Sequence, residues 1–343
     1  MSWKRVRGHE AQALAFERAV RRNRLAHAYL FVGPPGVGKR LFAQELAKAL
    51  LCEGDTGGRF EACDRCAACA LVEAGTHPDC FMAARPEERH ELPIEVMREL
   101  CRAFALRPAR GRGKVAILDD ADDLNEEAAN CFLKTLEEPP PRSVLILVGS
   151  SRERQLATIV SRCQVVRFAP LSEELVAEVL RGQEIEDAGS VERLARLSGG
   201  SPGQALALAD PALWAFRRTL LEGLARPRPD SVALGEALTQ FVEEAGKDSS
   251  AQRRRAGLVL RLLIEFLDDA LRLRVGGEPR LAEEGDRPLL QALAERADPE
   301  RLLEVLERCL EGDAQIDRRV QLVLALEALT DALGQQLKCE SPR

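Results

Sequence analysis

Gly33-Pro34-Pro35-Gly36-Val37-Gly38-Lys39-Arg40 is the stretch on which the fold turns. It follows the apolar run Ala28–Val32 directly and leads into an amphipathic pattern from Lys39 to Leu51. A G-x-x-x-x-G-K loop between a buried strand and a helix is the setting of a phosphate loop. Its glycines let successive backbone N–H groups point at one anion, and the helix N-terminus adds partial positive charge. Gly33, Gly36, Gly38, Lys39 and Arg40 are therefore the candidate nucleotide-binding residues, with ATP or ADP as the ligand. Position 40 departs from the pattern. A Ser or Thr hydroxyl there ligates Mg²⁺, whereas Arg40 offers no ligand and adds a positive charge beside the ion's position. Phosphate binding is expected to survive and Mg²⁺-assisted hydrolysis is not. The plainer reading is a glycine-rich turn with an incidental lysine.

Working outward, Val115–Leu118 is a second buried run and ends in Asp119-Asp120-Ala121-Asp122. An apolar strand ending in carboxylates is where such enzymes hold the metal-associated acid and the residue that activates water. Asp119 fits the first role. Asp120 stands where a longer Glu polarises the water, and losing a methylene draws the carboxylate back by about 1 Å, a misplacement that costs ~10²-fold in rate. The plainer reading of these carboxylates is an acidic strand end that caps the following turn, and it weighs more for Asp122 and Asp123 than for Asp119.

Val144–Val148 and Val165–Phe168 complete four strand-like runs that alternate with helical patterns, which predicts an α/β domain with a parallel sheet. One of those helices spans Glu126 to Glu138, with Asn125 as N-cap and Pro139-Pro140-Pro141 as its stop. At Pro170-Leu171-Ser172 the strands cease, and Ser172 opens a helix. The expected organisation is a P-loop domain over residues 1–169, a small helical lid over 170–208 closed by Gly199–Gly203, and an all-α domain over 209–343. Breaks in the last part fall at Arg226–Pro229, Gly276–Pro279 and near Pro288.

Composition agrees. A chain of 343 residues, 45% hydrophobic and 30% charged, is a folded protein of two or three domains. Its net charge of −6 argues against a globally basic nucleic-acid wrapper, and 4% aromatics argue against stacking platforms for single strands. Apolar runs fall far short of the ~20 residues of a membrane span, and MSWKRVRGHE contains no apolar signal segment, so a cytoplasmic protein is expected.

Cys52, Cys63, Cys66 and Cys69 crowd into 18 residues. The pattern C-x10-C-x2-C-x2-C puts three thiolates at metal-ligand spacing, and Cys52 can close a tetrahedral Cys₄ zinc site. Four protein ligands leave no open position, so such a zinc is structural. A redox C-x-x-C would leave Cys52 surplus; His77 or Cys80 are possible substitute ligands, although His77-Pro78-Asp79 reads as a turn leading out of the module. Cys101, Cys131, Cys163, Cys309 and Cys339 are scattered and read as small hydrophobes. Ser161-Arg162-Cys163 stands just before the last strand, and Arg162 gains meaning only if the fold needs an arginine finger. Arg18, Arg21, Arg22, Arg24 and Arg253-Arg254-Arg255 read as exposed helical faces in preference to phosphate contacts.

Together these blocks resemble a known family. His27-Ala28-Tyr29-Leu30-Phe31 runs into GPPGVGKR; the four cysteines, HPD at 77–79, LRPARGRGKVAILDDAD at 106–122, NEEAANCFLKTLEEPPP at 125–141 and ATIVSRCQVVRF at 157–168 follow. In order and spacing they resemble the bacterial clamp-loader branch of the AAA+ ATPases, from about residue 5 to 208. The branch contains ATP-hydrolysing motor subunits (gamma/tau) and a kind with a degenerate nucleotide site that keeps the S-R-C finger. Arg40 and Asp120 set this chain with the second kind, as does Gly203, which stands where the motor carries a nucleotide-sensing arginine. The resemblance implies that Arg162 acts in trans, reaching into a neighbouring motor subunit's ATP site. It further implies a circular pentamer with motor subunits and a delta subunit, joined by a collar to which Leu289–Leu290 and the stretch from Leu302 to Leu326 contribute. That assembly, part of the DNA polymerase III holoenzyme, opens the sliding clamp and loads it on primed DNA. Two alternatives stay open: an active ATPase in which Lys39 and Asp119 carry hydrolysis, and a zinc-dependent nucleic-acid-binding module.

Overall fold

Five parallel strands form one sheet in the order β2-β3-β4-β1-β5: β1 (Ala28–Val32), β2 (Cys80–Ala83), β3 (Lys114–Leu118), β4 (Ser143–Gly149) and β5 (Gln164–Arg167). The computed structural model describes residues 2–86, 89, 91–183, 185, 188–280, 284–318 and 320–338. β1, β3 and β4 are buried throughout, which is why they read as unbroken apolar runs. Alternate residues feed two cores. Tyr29, Phe31, Ile117 and Ile146 face one side with Phe16, Phe42 and Phe168, while Leu30, Leu118, Leu145 and Leu147 face the other with Phe104 and Phe132.

The chain divides into two compact units, residues 1–206 and 207–343. In the first, α1 (Glu10–Arg21), α2 (Lys39–Leu51) and α3 (Ala67–Glu73) precede β2, and α4 (Ile94–Ala105), α5 (Glu126–Glu137) and α6 (Ala157–Val160) are interleaved with the later strands. α7 (Glu173–Arg181), α8 (Ala188–Leu197) and α9 (Pro202–Leu208) follow β5, so the lid-like helices fall mainly within the first unit. Asn125 caps α5 by accepting from the Ala128 N–H at 2.9 Å, and Ser172 caps α7 through the Leu175 N–H at 3.4 Å. The second unit is helical: α10 (Pro211–Leu224), α11 (Ser231–Glu243), α12 (Ser249–Arg274), α13 (Arg287–Arg296), α14 (Pro299–Asp317) and α15 (Leu322–Gln336). No described helix is long and apolar enough to cross a membrane.

One strand escapes the sequence pattern. The His77-Pro78-Asp79 turn leads straight into β2 at the sheet edge; Asp79 accepts the N–H groups of Ala109 (2.7 Å) and Arg110 (2.8 Å) and so fixes the loop before β3. Cys80 is buried in that strand, apart from the cysteine cluster, and Cys309 is buried in α14. Cys339 lies outside the described residues.

Candidate functional site

β1 ends at Val32, and Gly33, Gly36 and Gly38 take φ of +155°, +76° and +103° to carry the chain from strand to helix. Each carbonyl from Gly33 to Gly38 accepts a hydrogen bond. The Lys39 ammonium donates to Gly33 O (2.6 Å) and Pro34 O (2.7 Å). Ser201 Oγ donates to Pro35 O (2.8 Å), the Gly203 N–H to Gly36 O (3.0 Å), His9 Nε2–H to Val37 O (2.8 Å) and the Phe42 N–H to Gly38 O (2.8 Å). With its oxygens engaged, what the loop offers a ligand is N–H groups, and Gly38 gives α2 no side-chain cap.

Lys39 is buried, at 7% exposure, and burial lowers its pKa against the pull of Asp122 and Asp119. Arg40 Nη1 lies 3.3 Å from Asp119 Oδ2. The residues therefore do not fit a magnesium ion: position 40 supplies no oxygen, and the strand-end carboxylate already holds a guanidinium. Asp120 turns left-handed at φ +54°, its N–H donating to Asp119 Oδ1 at 3.1 Å. Asp122 accepts from the Ser150 N–H (2.7 Å) and from Gln155, and Asp123 pairs with Arg85 (2.7 Å). Those two acids tie the segments after β2, β3 and β4 together.

Gly203 has no room to be anything larger. A Cβ there would sit 2.8 Å from the Gly36 Cα. The Ser201–Gly203 turn packs directly on the phosphate loop, a contact between residues too far apart in the chain for their spacing to record. His9 is a second residue the sequence did not mark; it is buried, edge-on to Phe168 at 4.8 Å, and a lone histidine before a helix carries no signal.

Arg162 follows α6, two residues before β5. Gln164 pairs beside Tyr29 and Arg167 beside Val32, so Arg162 stands at the amino ends of strands whose carboxyl ends carry the loop. Its Nε donates to Glu137 Oε1 (3.0 Å), Nη2 also reaches Glu137, and Nη1 bonds Thr158 O (2.9 Å) and Ser161 Oγ (3.2 Å).

The Cys52, Cys63, Cys66 and Cys69 sulfurs all lie within 4.8 Å of one another, with Cys52 and Cys66 at 4.0 Å. Four sulfurs at ~2.3 Å from one ion in a tetrahedron stand about 3.8 Å apart, so the set fits a metal. Backbone N–H groups of Cys63, Cys66 and Cys69 donate to the sulfurs of Cys52, Cys63 and Cys66 at 3.3–3.4 Å, as thiolate ligands require. Against the effect of burial, N–H donors from Cys69 and Glu53 bring the Cys66 thiol down to about 6. Gly54 leaves the space: a Cβ there would meet Cys63 Sγ at 2.4 Å. The module is tied to α2 through Lys48, whose ammonium meets Asp64 (2.7 Å), Glu73 (3.1 Å) and Glu45 (3.2 Å).

Of the arginines set aside as helical faces, Arg253 donates to Ile316 O (3.2 Å), and Arg255 lies over the Phe241 ring at 4.8 Å.

A parallel sheet with a phosphate loop after β1, acids after β3 and helices folded back onto the loop defines an AAA+-type P-loop protein. A family profile described as "DNA polymerase III, delta subunit" matches residues 8–172. The chain is 33% identical to DNA polymerase III subunit delta' of Escherichia coli (strain K12), over 82% of its own length and 80% of that protein's. It is 38% identical to the Pseudomonas aeruginosa subunit delta', over 61% of this chain and 63% of the relative. E. coli DNA polymerase III subunit tau is 33% identical over 61% of this chain, a match spanning 32% of tau. The chain belongs to the DNA polymerase III subunit delta' family.

Proposed function

We propose that the chain serves a bacterial clamp loader as its delta'-type subunit, a stator that does not hydrolyse ATP and supplies Arg162 to the ATP site of a neighbouring gamma/tau motor subunit. The observation that carries this reading is the position of Arg162. It stands at the opposite end of the sheet from the chain's own loop, roughly 16 Å away at ~3.3 Å per strand residue, so the site it can serve belongs to another subunit. The Arg40–Asp119 pair supports the non-hydrolysing half, because it consumes the carboxylate a catalytic metal needs.

The four cysteines hold one structural zinc. The lid is residues 170–208, and residues 209–343 are the collar by which the chain joins motor and delta subunits in the cytoplasm. Through that complex it acts on the sliding clamp and primed DNA in replication.

The test is DNA- and clamp-stimulated ATP turnover of the reconstituted complex. Arg162→Ala is expected to remove turnover at the site it serves, where a finger is worth ~10³ or more, and Lys39→Ala to change turnover little. The reverse pattern would mean that this chain hydrolyses its own ATP.

A further inference from the structure

We propose that the Lys39 loop binds the polyphosphate group of a nucleotide without a divalent cation, with Arg40 in the metal's place. The proposal rests on the reading of the loop as a nucleotide site and concerns a different residue from the finger.

Two independent observations point to an anion. The first is Lys39. Its side chain is more than nine-tenths buried, yet its ammonium is bonded only to the neutral carbonyls of Gly33 and Pro34. Among the described residues no carboxylate lies within 4.0 Å of it. Asp122 and Asp119 act on it only from beyond ion-pair distance, and a buried cation without a direct ionic partner is one that an anion can complete. The second is the pairing of Arg40 with Asp119 at 3.3 Å. In a metal-using site a divalent ion bridges the strand-end acid and the phosphate oxygens. Here the guanidinium already touches that acid, is more than half exposed, and can reach onward. Its planar fork matches two phosphate oxygens at once, so it can bridge acid and phosphate as the ion would.

The surroundings favour the exchange. Lys39 and Arg40 stand against the carboxylates of Asp119 and Asp122, and the 13-residue helix α2 adds an uncapped N-terminus. Ser201, Gly203 and His9 hold the loop by its carbonyls, so a ligand meets N–H groups beyond Gly33, whose own N–H donates to Ser150 O at 3.0 Å. On binding, Lys39 exchanges two carbonyl oxygens for phosphate oxygens, and no metal has to be recruited. A bound Mg²⁺ would instead be repelled by Arg40.

The test is calorimetric binding of ATP, ADP and inorganic tripolyphosphate to the full chain, in excess Mg²⁺ and in metal-depleted buffer. Depletion is done on the buffer, with no chelator, so that the cysteine site is untouched. Wild-type protein is expected to bind as tightly without Mg²⁺ as with it, within about threefold, and Arg40→Thr to weaken at least tenfold when Mg²⁺ is withdrawn. Comparing tripolyphosphate with the nucleotides shows how much the nucleoside adds. Tenfold weaker wild-type binding without Mg²⁺, or no binding in either buffer, would overturn the proposal whatever the variant does. Arg162→Ala should leave this binding unchanged, so a failure of the loop and a failure of the finger are read separately.

Discussion

The backbone N–H of Gly203 donates to the carbonyl of Gly36 at 3.0 Å, joining the first turn of α9 to the middle of the phosphate loop. The two glycines meet backbone to backbone, and each would clash if it carried a side chain. At Gly203 φ is ordinary, so the cost of a substitution there is steric alone. Gly203→Ala puts a methyl 2.8 Å from the Gly36 Cα and should cost about 1–3 kcal/mol, the usual range for overpacking. Urea unfolding followed by the circular dichroism of the full chain measures this. An unchanged midpoint would mean that the lid does not press on the loop in solution.

The cysteine cluster makes a prediction about composition and about space. Purified protein should carry one zinc per chain and Cys66→Ser none, with faster proteolysis around residues 52–73, because metal binding and local folding are one equilibrium. Gly54→Ala keeps every ligand but drives a Cβ into Cys63 Sγ, and it should weaken zinc binding tenfold or more by analogy with other shell defects. Zinc-free wild-type protein with the same protease pattern would remove the metal from this account.

His77 gives a pH dependence with a definite sign. Its Nδ1 accepts the Asp79 N–H at 3.0 Å, and burial, aided by the Arg110 charge, lowers its pKa from the ordinary 6.5. Well above 6.5 the ring is neutral both folded and unfolded, and its contribution is complete. Below that the unfolded chain takes up a proton more readily, so stability falls as the solution is acidified. His77→Gln keeps an acceptor for Asp79 and cannot titrate. It should lose less stability than wild type between about pH 7.5 and about pH 5.5, measured as the shift of the urea midpoint in each protein. Equal losses in the two proteins would show that His77 is not the titrating group.

In the helical unit, Arg217 Nη2 bonds Asp286 Oδ2 at 2.8 Å, both side chains are nearly buried, and the guanidinium lies near the Trp214 and Phe266 rings. Removing one partner strands the other charge. Arg217→Met and Asp286→Leu alone should each cost about 3–5 kcal/mol, whereas the double change should recover most of the loss. Additive losses in a double-mutant cycle would rule out the coupling.

Much of the first unit was legible because its chemistry is local. β1 and α2 have the predicted bounds, and β3 and β4 each extend at most one residue beyond theirs at either end, since strands covered on both faces are written as apolar runs. β2 was not legible. Cys80-Phe81-Met82-Ala83 is short, lies at the edge and is only partly buried, and its identity as a strand depends on pairing with β3. The cysteine spacing foretold a four-sulfur cluster and kept Cys80 as a possible ligand, a role its burial in β2 removes.

What the sequence determined by itself is the inventory: a phosphate loop with arginine in the metal position, acids at a strand end, four clustered thiols, and an arginine before the last strand. Spacing along the chain suffices for these because each is built from neighbours. Only the tertiary structure decided how they are engaged. The pairing of Arg40 with Asp119 joins residues 79 positions apart, the closure of Gly203 on Gly36 joins residues 167 apart, and Arg162 rests on Glu137 at the far end of the sheet. The reason is physical: parallel strands bring their carboxyl ends together from distant parts of the chain, and a one-dimensional pattern records no distances between them.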